Sequence, residues 1–192
     1  MLESAVSWPR KEIIVVDDGS RDRTAEVARR FASRNTKVVS TDKPGLSAAV
    51  NTAYRLCQGD CIQEDADVRN TFWQDPSPVE WLLGKMSENC HIQNTTWLVS
   101  RELAEAAGPW DTRLYYDQDG EYFCRVLLAS EGTRFVPEGR VFYRASGKNR
   151  VSFIGNSDVK KNSLLRSMKL HIQYLRSLED SGRVRKVCLA YL

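Results

Sequence analysis

The sequence predicts an α/β protein built on a doubly wound, mainly parallel sheet flanked by helices. Three strand-like segments, EIIVVDD, TKVVST and DCIQEDADV, alternate with two helix-like segments near the start of the chain. The first strand is a continuous apolar run, as expected for a strand that is buried on both faces of a parallel sheet. The order β-α-β-α-β in so short a stretch is typical of this fold class.

The two helices between these strands have recognisable ends. The first lies within GSRDRTAEVARRFASR, where Ser20 or Asp22 is suited to be the N-cap. The second, LSAAVNTAYRLC, is expected to end at Gly59, because glycine commonly follows the last helical turn.

The rest of the chain is predicted to be more helical. One helix begins near Pro78, the short helix RELAEAAG ends at Gly108, and another helix begins near Gly120. The segment TTWLVS is a candidate strand, and TRFVPEGRVFYR supplies two more. The segment DVKKNSLLRSMKLHIQYLRSLED is an amphipathic C-terminal helix, with a predicted apolar stripe of Leu165, Met168, Ile172, Leu175 and Leu178.

Charge is distributed unevenly along the 192 residues, which carry a net charge of +3. Residues 140–192 hold 12 Lys and Arg against 3 Asp and Glu, whereas residues 1–139 hold 16 against 22. The acidic part suits a metal site. The basic tail suits a membrane surface or another polyanion, with a solvated helix face as the alternative.

The sequence also predicts a location. No apolar run is long enough to span a membrane, and MLESAVSWPRKE lacks the layout of a signal sequence. We therefore predict a cytoplasmic protein, with peripheral membrane contact through the basic C-terminal helix as a further hypothesis. The five cysteines form no CxxC pair and, with two histidines, assemble no standard zinc site, so we interpret them as reduced packing residues.

Several familiar motifs are absent from the sequence. There is neither a GxGxxG nor a GxxxxGK[ST] motif, which argues against a dinucleotide-binding Rossmann site and a P-loop. No Ser-His-Asp or Cys-His arrangement accompanies a nucleophile elbow. The basic tail alone is too little to predict nucleic-acid binding.

Acidic residues cluster near the predicted ends of secondary-structure elements. Adjacent carboxylates repel each other and are costly to desolvate, so a purely structural role explains them poorly. The carboxyl ends of parallel strands are where open α/β sheets bind ligands. Asp65 and Asp67 would point the same way on an extended segment, which suits Mg²⁺ or Mn²⁺, although a lone DxD also occurs on acidic surface turns. The clusters are Asp17-Asp18, Asp65-Ala66-Asp67, and Asp117-Gln118-Asp119 with Glu121.

Taken in order, VVDDGSRD, KPGLSAAVNTAYRLCQGD and DAD at residues 65–67 resemble the nucleotide-binding half of family 2 glycosyltransferases of the GT-A fold. LVSRELAEAAGPWD and YYDQDGEYFCRVLLA resemble the acceptor-side segment of that family, in which a GxFD-like turn precedes an acidic pair and an Arg-containing helix. The resemblance covers about residues 3–145. It implies an inverting, metal-dependent enzyme that transfers a sugar from a nucleotide-diphospho-sugar, a UDP-sugar in particular, to a hydroxyl acceptor.

Residue by residue, the resemblance implies a donor site early in the chain. Asp18 matches the position that contacts the nucleotide base, and Asp65 matches a carboxylate near the ribose. Asp17 and Gly45 belong to the same donor-binding motifs. Asp67 matches the ligand of the divalent metal, Mn²⁺ or Mg²⁺, that bridges to the diphosphate.

The resemblance implies a catalytic base later in the chain. Asp119 matches the carboxylate that removes the proton from the acceptor hydroxyl, a role that typically contributes about 10²–10⁴-fold to the rate. The metal would stabilise the charge on the departing nucleoside diphosphate. Trp110 is a candidate face on which a sugar could stack, with a place in the core as the alternative.

The resemblance divides the chain into one GT-A-like domain, residues 1–158, and a C-terminal helical extension, residues 159–192. About residues 1–68 form the nucleotide-sugar-binding half of the domain, and about residues 91–145 form the acceptor-side half. Relative to the family, the first strand and helix are missing and the interval after Asp67 is short, so we expect an N-terminally truncated and internally shortened member. Val50 stands where the family usually has an Arg that faces the donor phosphates.

Two other hypotheses remain open at the level of sequence. A catalytically impaired remnant that acts as a nucleotide-binding or partner-binding module would account for the departures from the family pattern. A phosphoacceptor receiver domain would account for IIVVDDGS and for the spacing to Asp65, but Lys85 lies in no clear strand, as that fold would need. The sequence predicts no oligomeric state.

Overall fold

The computed structural model of the chain describes residues 12–41, 45–58, 61–62, 74–90, 92–136 and 153–192. Two compact units make up the chain, Met1–Cys61 and Ile62–Leu192. A two-residue strand, Cys61–Ile62, spans the boundary between them in the sequence.

The described part of the first unit alternates strands with helices. Its elements are β1 (Ile13–Asp17), α1 (Thr24–Arg29), β2 (Thr36–Ser40) and α2 (Leu46–Leu56). The two strands pair in parallel, with Ile13 opposite Thr36 and Asp17 opposite Ser40. Both helices pack against β1. The predicted α/β class is therefore confirmed: a parallel pair of β-branched strands is flanked by helices.

Three details of this unit differ from the sequence prediction. Each residue of β1 is half-buried, not fully buried, and within the described residues the strand pairs with β2. The helix α1 has 6 residues, and its N-cap is Arg23, not Ser20 or Asp22. The Asp22 carboxylate still accepts the Thr24 N–H at 2.9 Å, at the start of the helix. Helix α2 ends at Leu56, before Gly59, because Cys57 adopts an extended conformation.

The described part of the second unit is mostly helical. After the boundary strand, which we number β3, it contains α3 (Pro78–Glu88), a 3₁₀ turn (Asn94–Thr96), β4 (Leu98–Val99), α4 (Arg101–Ala107), α5 (Gln118–Ala129), α6 (Asp158–Leu178) and α7 (Gly182–Tyr191). The helices predicted near Pro78, before Gly108 and near Gly120 are confirmed. TTWLVS is reduced to the two-residue β4, residues 133–136 are not in a strand, and the rest of TRFVPEGRVFYR lies outside the described residues.

Serine side chains begin four helices of this unit. In each case the hydroxyl accepts the backbone N–H three residues later, which satisfies one of the donors that the first helical turn leaves open. The four caps are Ser77 for α3, Ser100 for α4, Ser157 for α6 and Ser181 for α7. At the other end of α3, Asn89 takes the left-handed conformation, with φ 49°, that often ends a helix.

A hydrophobic core fills the space between α3, α5, α6 and α7. Leu82 from α3, Leu127 from α5, Leu175 from α6 and Val184 from α7 are at most 1% exposed. Each of these helices carries its apolar residues three or four positions apart, so one face of each helix enters the core. The second unit therefore has a conventional helical core of its own.

Helix α6 is amphipathic, and its predicted apolar stripe is confirmed only in the middle, where Met168, Ile172 and Leu175 pack in the core. Leu165 and Leu178 are exposed, whereas Leu175 is buried. The fully or nearly fully buried positions are Ser163, Ser167, His171 and Leu175, which are four residues apart along one face. In the described part of the chain, no helix combines the length and the apolar character needed to cross a bilayer.

Candidate active site

The two adjacent carboxylates that end β1 have different surroundings. Asp17 is the last residue of the strand, and its carboxylate accepts the Ser20 N–H at 3.2 Å, while its carbonyl accepts the Thr41 N–H at 3.1 Å. Asp18 leaves the sheet and is exposed. Gly19 follows with φ +77°, a conformation that glycine adopts at little cost, and it allows the turn after the strand.

The structure brings Asp18 together with Gly45, another residue predicted to bind the donor. Its two carboxylate oxygens accept the Gly45 N–H at 2.9 and 3.0 Å, and Oδ1 also accepts the Thr41 hydroxyl at 3.2 Å. Gly45 immediately precedes α2 and has φ 119°, which favours glycine. A carboxylate at a helix N-terminus is stabilised by the helix dipole. This exposed end of the parallel pair presents a carboxylate and a helix N-terminus at one place.

The remaining residues predicted on the donor side lie outside the described residues. These are Asp65, predicted near the ribose, and Asp67, the predicted metal ligand. Within the described residues, no group of three His, Cys, Asp or Glu side chains is placed to hold a metal ion. The roles of Asp17, Asp18, Gly45, Asp65 and Asp67 therefore stay predictions.

Asp119, the predicted catalytic base, lies in the first turn of α5 at a narrow cleft of the second unit. Its Oδ1 accepts the Gly120 N–H at 3.0 Å, and the residue is partly exposed. Three aromatic side chains, one isoleucine, one lysine and a second carboxylate line most of the rest of the cleft. The lining residues are Trp81, Lys85, Ile92, Trp97, Asp117, Asp119, Gly120 and Phe123. A half-exposed carboxylate among apolar walls is an environment in which a general base can meet a hydroxyl.

Lys85 places a buried positive charge in this cleft. The residue is 5% exposed on α3, and a buried charge is costly unless opposite charges compensate for it. Burial on its own lowers the pKa of an ammonium group. The negative groups around Lys85, Asp117 above all and Asp119 among them, outweigh burial and raise the pKa of Lys85 above its ordinary value. The cleft thus holds a cation beside the candidate base.

Asp117 turns the chain into α5 in a strained conformation. It has φ 55°, in the left-handed region that residues other than glycine rarely adopt, and it is 7% exposed. The Ser167 hydroxyl donates to its Oδ2 at 2.6 Å. A Cβ on Gly120 would lie 2.8 Å from the Asp117 Cγ, so the absence of a side chain at Gly120 makes room for this carboxylate.

Glu121 and Arg125 form a largely buried ion pair one turn further along α5. The Arg125 Nε donates to Glu121 Oε1 at 2.7 Å, and the two side chains are 19% and 3% exposed. The Tyr174 hydroxyl donates to the same Glu121 oxygen at 2.7 Å. The guanidinium also donates to carbonyls at the end of α4 and just after it, those of Ala107, Gly108 and Pro109. The Arg125 guanidinium and the Glu121 carboxylate, with the Tyr174 hydroxyl, therefore connect α4, α5 and α6 through charged hydrogen bonds.

The first part of the chain is similar to a known protein family. Residues 1–71 match the model of a family described as Glycosyl transferase family 2. The stretch includes the Asp17-Asp18 pair, Gly45 and the DAD triplet. Residues 1–71 are similar to glycosyl transferase family 2. The resemblance stated from the motifs is confirmed for the donor-side part of the chain, and the family implies a GT-A fold.

Curated relatives of family 2 match parts of the chain. An undecaprenyl-phosphate 4-deoxy-4-formamido-L-arabinose transferase of Pseudomonas savastanoi pv. phaseolicola is 39% identical over 66 residues, 32% of this chain and 20% of the relative. A protein of the same description from Pseudomonas aeruginosa PAO1 is 38% identical over 74 residues, 36% of this chain and 22% of the relative. The putative glycosyltransferase EpsH of Bacillus subtilis is 25% identical over 122 residues, 61% of this chain and 34% of the relative.

These matches cover only part of each relative. The chain spans between a fifth and about a third of the length of these relatives. No solved structure matches the chain significantly. The family 2 match argues against the receiver-domain hypothesis, because both hypotheses interpret the same Asp17-Asp18 motif.

Trp110 does not provide the stacking face that was considered for a sugar. It is 6% exposed, stacks on Tyr122 with centroids 4.7 Å apart, and meets Phe123 edge-on at 6.2 Å. Trp97 in turn stacks on the ring of Phe123 at 4.7 Å. The alternative, a place in the core, is confirmed for Trp110 because Tyr122 and Phe123 of α5 cover it.

Sequence reasoning missed the buried polar residues around the candidate base. From the sequence, Lys85 was noted only as a residue in no clear strand, and no role was predicted for Ser167 or His171. A signal was present in the sequence: Ser163, Ser167 and His171 recur every four residues, at the spacing that places them on one helix face. The leucines of α6 were more conspicuous and hid this pattern.

Proposed function

We propose that the chain acts in an inverting glycosyl transfer, in which a sugar moves from a nucleotide-diphospho-sugar to a hydroxyl acceptor with the help of a divalent metal. The observation that carries the proposal is the contact between the Asp18 carboxylate and the Gly45 N–H, within the segment that matches family 2. It forms at the carboxyl end of a parallel strand and at a helix N-terminus, where α/β proteins commonly bind nucleotides.

On the donor side, we assign Asp18 to the nucleotide base and Asp65 to the ribose, with Asp17 and Gly45 shaping the same site. A UDP-sugar is the donor we propose. Asp67 would hold Mn²⁺ or Mg²⁺, since hard cations are commonly bound by one or two carboxylates together with substrate phosphates. When bound, the metal would supply charge stabilisation for the departing diphosphate.

On the acceptor side, we assign the base to Asp119. Its carboxylate would take the proton from the acceptor hydroxyl as the new glycosidic bond forms on the face opposite the departing diphosphate. The cleft around it supports this role, because Lys85 attracts the carboxylate and Trp81, Trp97 and Phe123 limit the access of water. An acceptor hydroxyl would therefore meet a base that is held in an apolar setting.

Donor binding is tested by calorimetric titration with UDP and GDP, with and without Mn²⁺. We expect manganese-dependent binding of UDP by the wild-type chain, which Asp67→Ala abolishes. Asp158→Ala is the matched control, because Asp158 is exposed at the start of α6 and its ion pair with Lys161 is long, 3.7 Å. Binding that Asp67→Ala leaves intact would contradict the metal assignment, and no binding by a folded protein would overturn the proposal.

Catalysis is tested with a panel of acceptors and a radiolabelled UDP-sugar. The panel includes saccharides and, because the Pseudomonas relatives are described as undecaprenyl-phosphate transferases, undecaprenyl phosphate. With a saccharide acceptor, we expect Asp119→Asn to lower turnover by about 10²–10⁴-fold while nucleotide binding is retained, because the base removes the hydroxyl proton. Undecaprenyl phosphate offers an ionised oxygen that needs no base, so only equal turnover by Asp119→Asn and wild type with a saccharide would contradict the assignment.

The alternative hypothesis, a catalytically impaired remnant that binds a nucleotide or a partner, predicts a different result. It is favoured by Val50, which lies in the first turns of α2 and cannot donate the hydrogen bonds of an arginine to a phosphate. Under this hypothesis UDP binds with manganese, but no acceptor is glycosylated. The same two experiments therefore separate the active enzyme from the remnant.

A cytoplasmic location and peripheral contact with a membrane complete the proposal. On α6, Arg166 and Lys169 are exposed beside Leu165, a combination that suits an anionic lipid surface. Co-sedimentation with vesicles that contain phosphatidylglycerol tests the contact. We expect binding that Arg166→Glu with Lys169→Glu removes, and no sedimentation of the wild type would contradict it.

A further inference from the structure

The buried face of α6 is unusual because it is polar. Ser163 is 5% exposed, and Ser167 and His171 are 0% exposed. Polar groups removed from water are costly unless they are hydrogen-bonded, so the partners of these side chains show what the face is built to hold. Their partners lie in the segment that leads into α5 and in α7.

Ser163 holds the backbone that precedes Asp117. Its hydroxyl accepts the N–H groups of Tyr115 and Tyr116, each at 2.9 Å, and donates to the Tyr116 carbonyl at 2.9 Å. One side-chain oxygen thus satisfies three backbone groups of a stretch that is neither helix nor strand. The segment is tied to α6 immediately before the strained residue.

Ser167 holds Asp117 itself and is supported by a chain of donors. Ser167 donates to Asp117 Oδ2 at 2.6 Å, and His171 Nε2 lies 3.2 Å from the serine oxygen. His171 Nδ1 lies 2.9 Å from the Tyr191 hydroxyl of α7. All three bonds are satisfied when Tyr191 donates to His171, His171 to Ser167 and Ser167 to Asp117. Each donor then polarises the next toward the carboxylate.

Tyr174 holds the other side of the candidate base. Its hydroxyl donates to Glu121 Oε1 at 2.7 Å, and burial together with this hydrogen bond raises the pKa of Tyr174 above its ordinary value. Glu121 is already paired with Arg125. Helix α6 therefore fixes the chain before and after Asp119, while the Asp119 carboxylate remains at the cleft.

We infer that α6 is a positioning element for the catalytic base, and that Ser163, Ser167 and Tyr174 are the positioning residues. The inference rests on the proposed function, since it concerns the place of Asp119 in that reaction. It assigns to the C-terminal helical extension a part in catalysis. Because the left-handed Asp117 is strained, loss of its bond to Ser167 would let the segment relax and move the base away from the acceptor.

The test uses three variants of the full chain that each remove one oxygen atom: Ser163→Ala, Ser167→Ala and Tyr174→Phe. Ser177→Ala is the matched control, because Ser177 is on the same helix but exposed, and its hydroxyl contacts the Tyr174 carbonyl of its own helix. Two readouts are needed. Steady-state kinetics gives kcat and KM, and hydrogen–deuterium exchange follows the backbone amides of residues 115–121.

We expect each of the three variants to lower kcat by about 10–100-fold with KM changed by less than about 2-fold, since small displacements of a reacting group cost about this much. Exchange of residues 115–121 should accelerate at least about 10-fold, while exchange in α3 stays as in the wild type. Ser177→Ala should change neither. If Ser167→Ala does not fold, Ser163→Ala and Tyr174→Phe decide the question.

Two results would overturn the inference. Unchanged exchange in residues 115–121 would show that α6 does not order the segment. Faster exchange with unchanged kcat would show that the order it provides does not serve the base. Failure of the proposed function is distinguishable from both, because wild-type chain would then transfer no sugar to any acceptor, whatever the exchange data show about α6.

Discussion

The two acidic clusters that lie among the described residues are stabilised in opposite ways. At the end of β1, Asp18 is exposed and accepts hydrogen bonds from a backbone N–H and a threonine hydroxyl. At the start of α5, Asp117 and Glu121 are buried and accept hydrogen bonds from side chains of other helices. Water can replace the partners of the first cluster, but it cannot easily reach those of the second.

The difference bears on what each cluster can do. An exposed carboxylate can exchange a protein partner for a ligand at small cost, as expected of a residue that meets a nucleotide. A buried carboxylate that loses its partner pays the full cost of desolvation, so it serves better as a fixed support. Asp119 combines the two conditions, since it lies at a cleft between two buried supports.

Arg125→Met should give the largest loss of stability. It leaves the Glu121 carboxylate buried without its cation, which typically costs about 3–5 kcal/mol. Arg176→Met removes an exposed partner of Asp180 and should change stability by about 0.5 kcal/mol or less. Urea unfolding followed by circular dichroism measures both. Equal losses in the two variants would show that the buried cluster is no more demanding than the surface.

Truncations in the two hydrophobic regions should differ in the same direction. Leu82→Ala opens a cavity in the core of the second unit, where the side chain is 0% exposed, and should cost about 2–5 kcal/mol. Val15→Ala removes two methyl groups from half-buried β1 and should cost about 1 kcal/mol. Denaturant titration of each variant provides the comparison. A larger loss for Val15→Ala would contradict the burial that we describe for β1.

Gly120→Ala tests the buried acidic cluster with a single added methyl group and should lower stability. The added Cβ would meet the carboxylate of Asp117, which Ser167 holds in place, and overpacking of this kind costs about 1–3 kcal/mol. Gly182→Ala is the control, because its Cβ would meet nothing within 4 Å at the start of α7, so a gain of about 0.4–1 kcal/mol is expected. Thermal unfolding of both variants tests whether Gly120→Ala lowers stability while Gly182→Ala raises it.

The smallest effect is a pH dependence that Tyr174 contributes. Because its pKa is raised in the folded protein, the stabilisation is complete below the ordinary tyrosine pKa of 10 and is lost as the pH rises through the folded value. Between pH 9 and pH 11 the wild type should therefore lose stability more steeply than Tyr174→Phe. Urea midpoints at successive pH values measure the slopes, and parallel slopes would contradict a hydrogen bond from Tyr174 to Glu121.

Local patterns were sufficient to predict most elements of both units. The apolar run before Asp17, the Pro at the start of α3 and the Gly after α4 each act within a few residues, so the sequence carries them directly. The position of Asp119 in the first turn of α5 was also within reach, because the acidic residues precede a helical pattern. The family 2 relation followed from ordered motifs, which comparison with known proteins bears out.

Properties that depend on distant residues were not predictable in the same way. The raised pKa of Lys85 depends on Asp117 and Cys124, from the start and the interior of α5, and on Tyr191 of α7, all distant from Lys85 in the sequence. Trp110 was ambiguous because its burial depends on Tyr122, twelve positions later in the chain. Helix α6 buries part of its apolar stripe together with a polar row, Ser163, Ser167 and His171, that packs against the segment before α5. Hydropathy alone identifies the apolar part and misses the polar row.

The aromatic cluster of the second unit has a spectroscopic consequence. Trp81 and Trp97 lie 5.2 Å apart, and both Trp97 and Trp110 stack on aromatic rings of α5. Of the five tryptophans, Trp8 alone belongs to the unit Met1–Cys61. A chain with Trp8→Phe would therefore emit tryptophan fluorescence only from the unit Ile62–Leu192, which holds the candidate base. Its emission would report the unfolding of that unit and would not report the unfolding of Met1–Cys61.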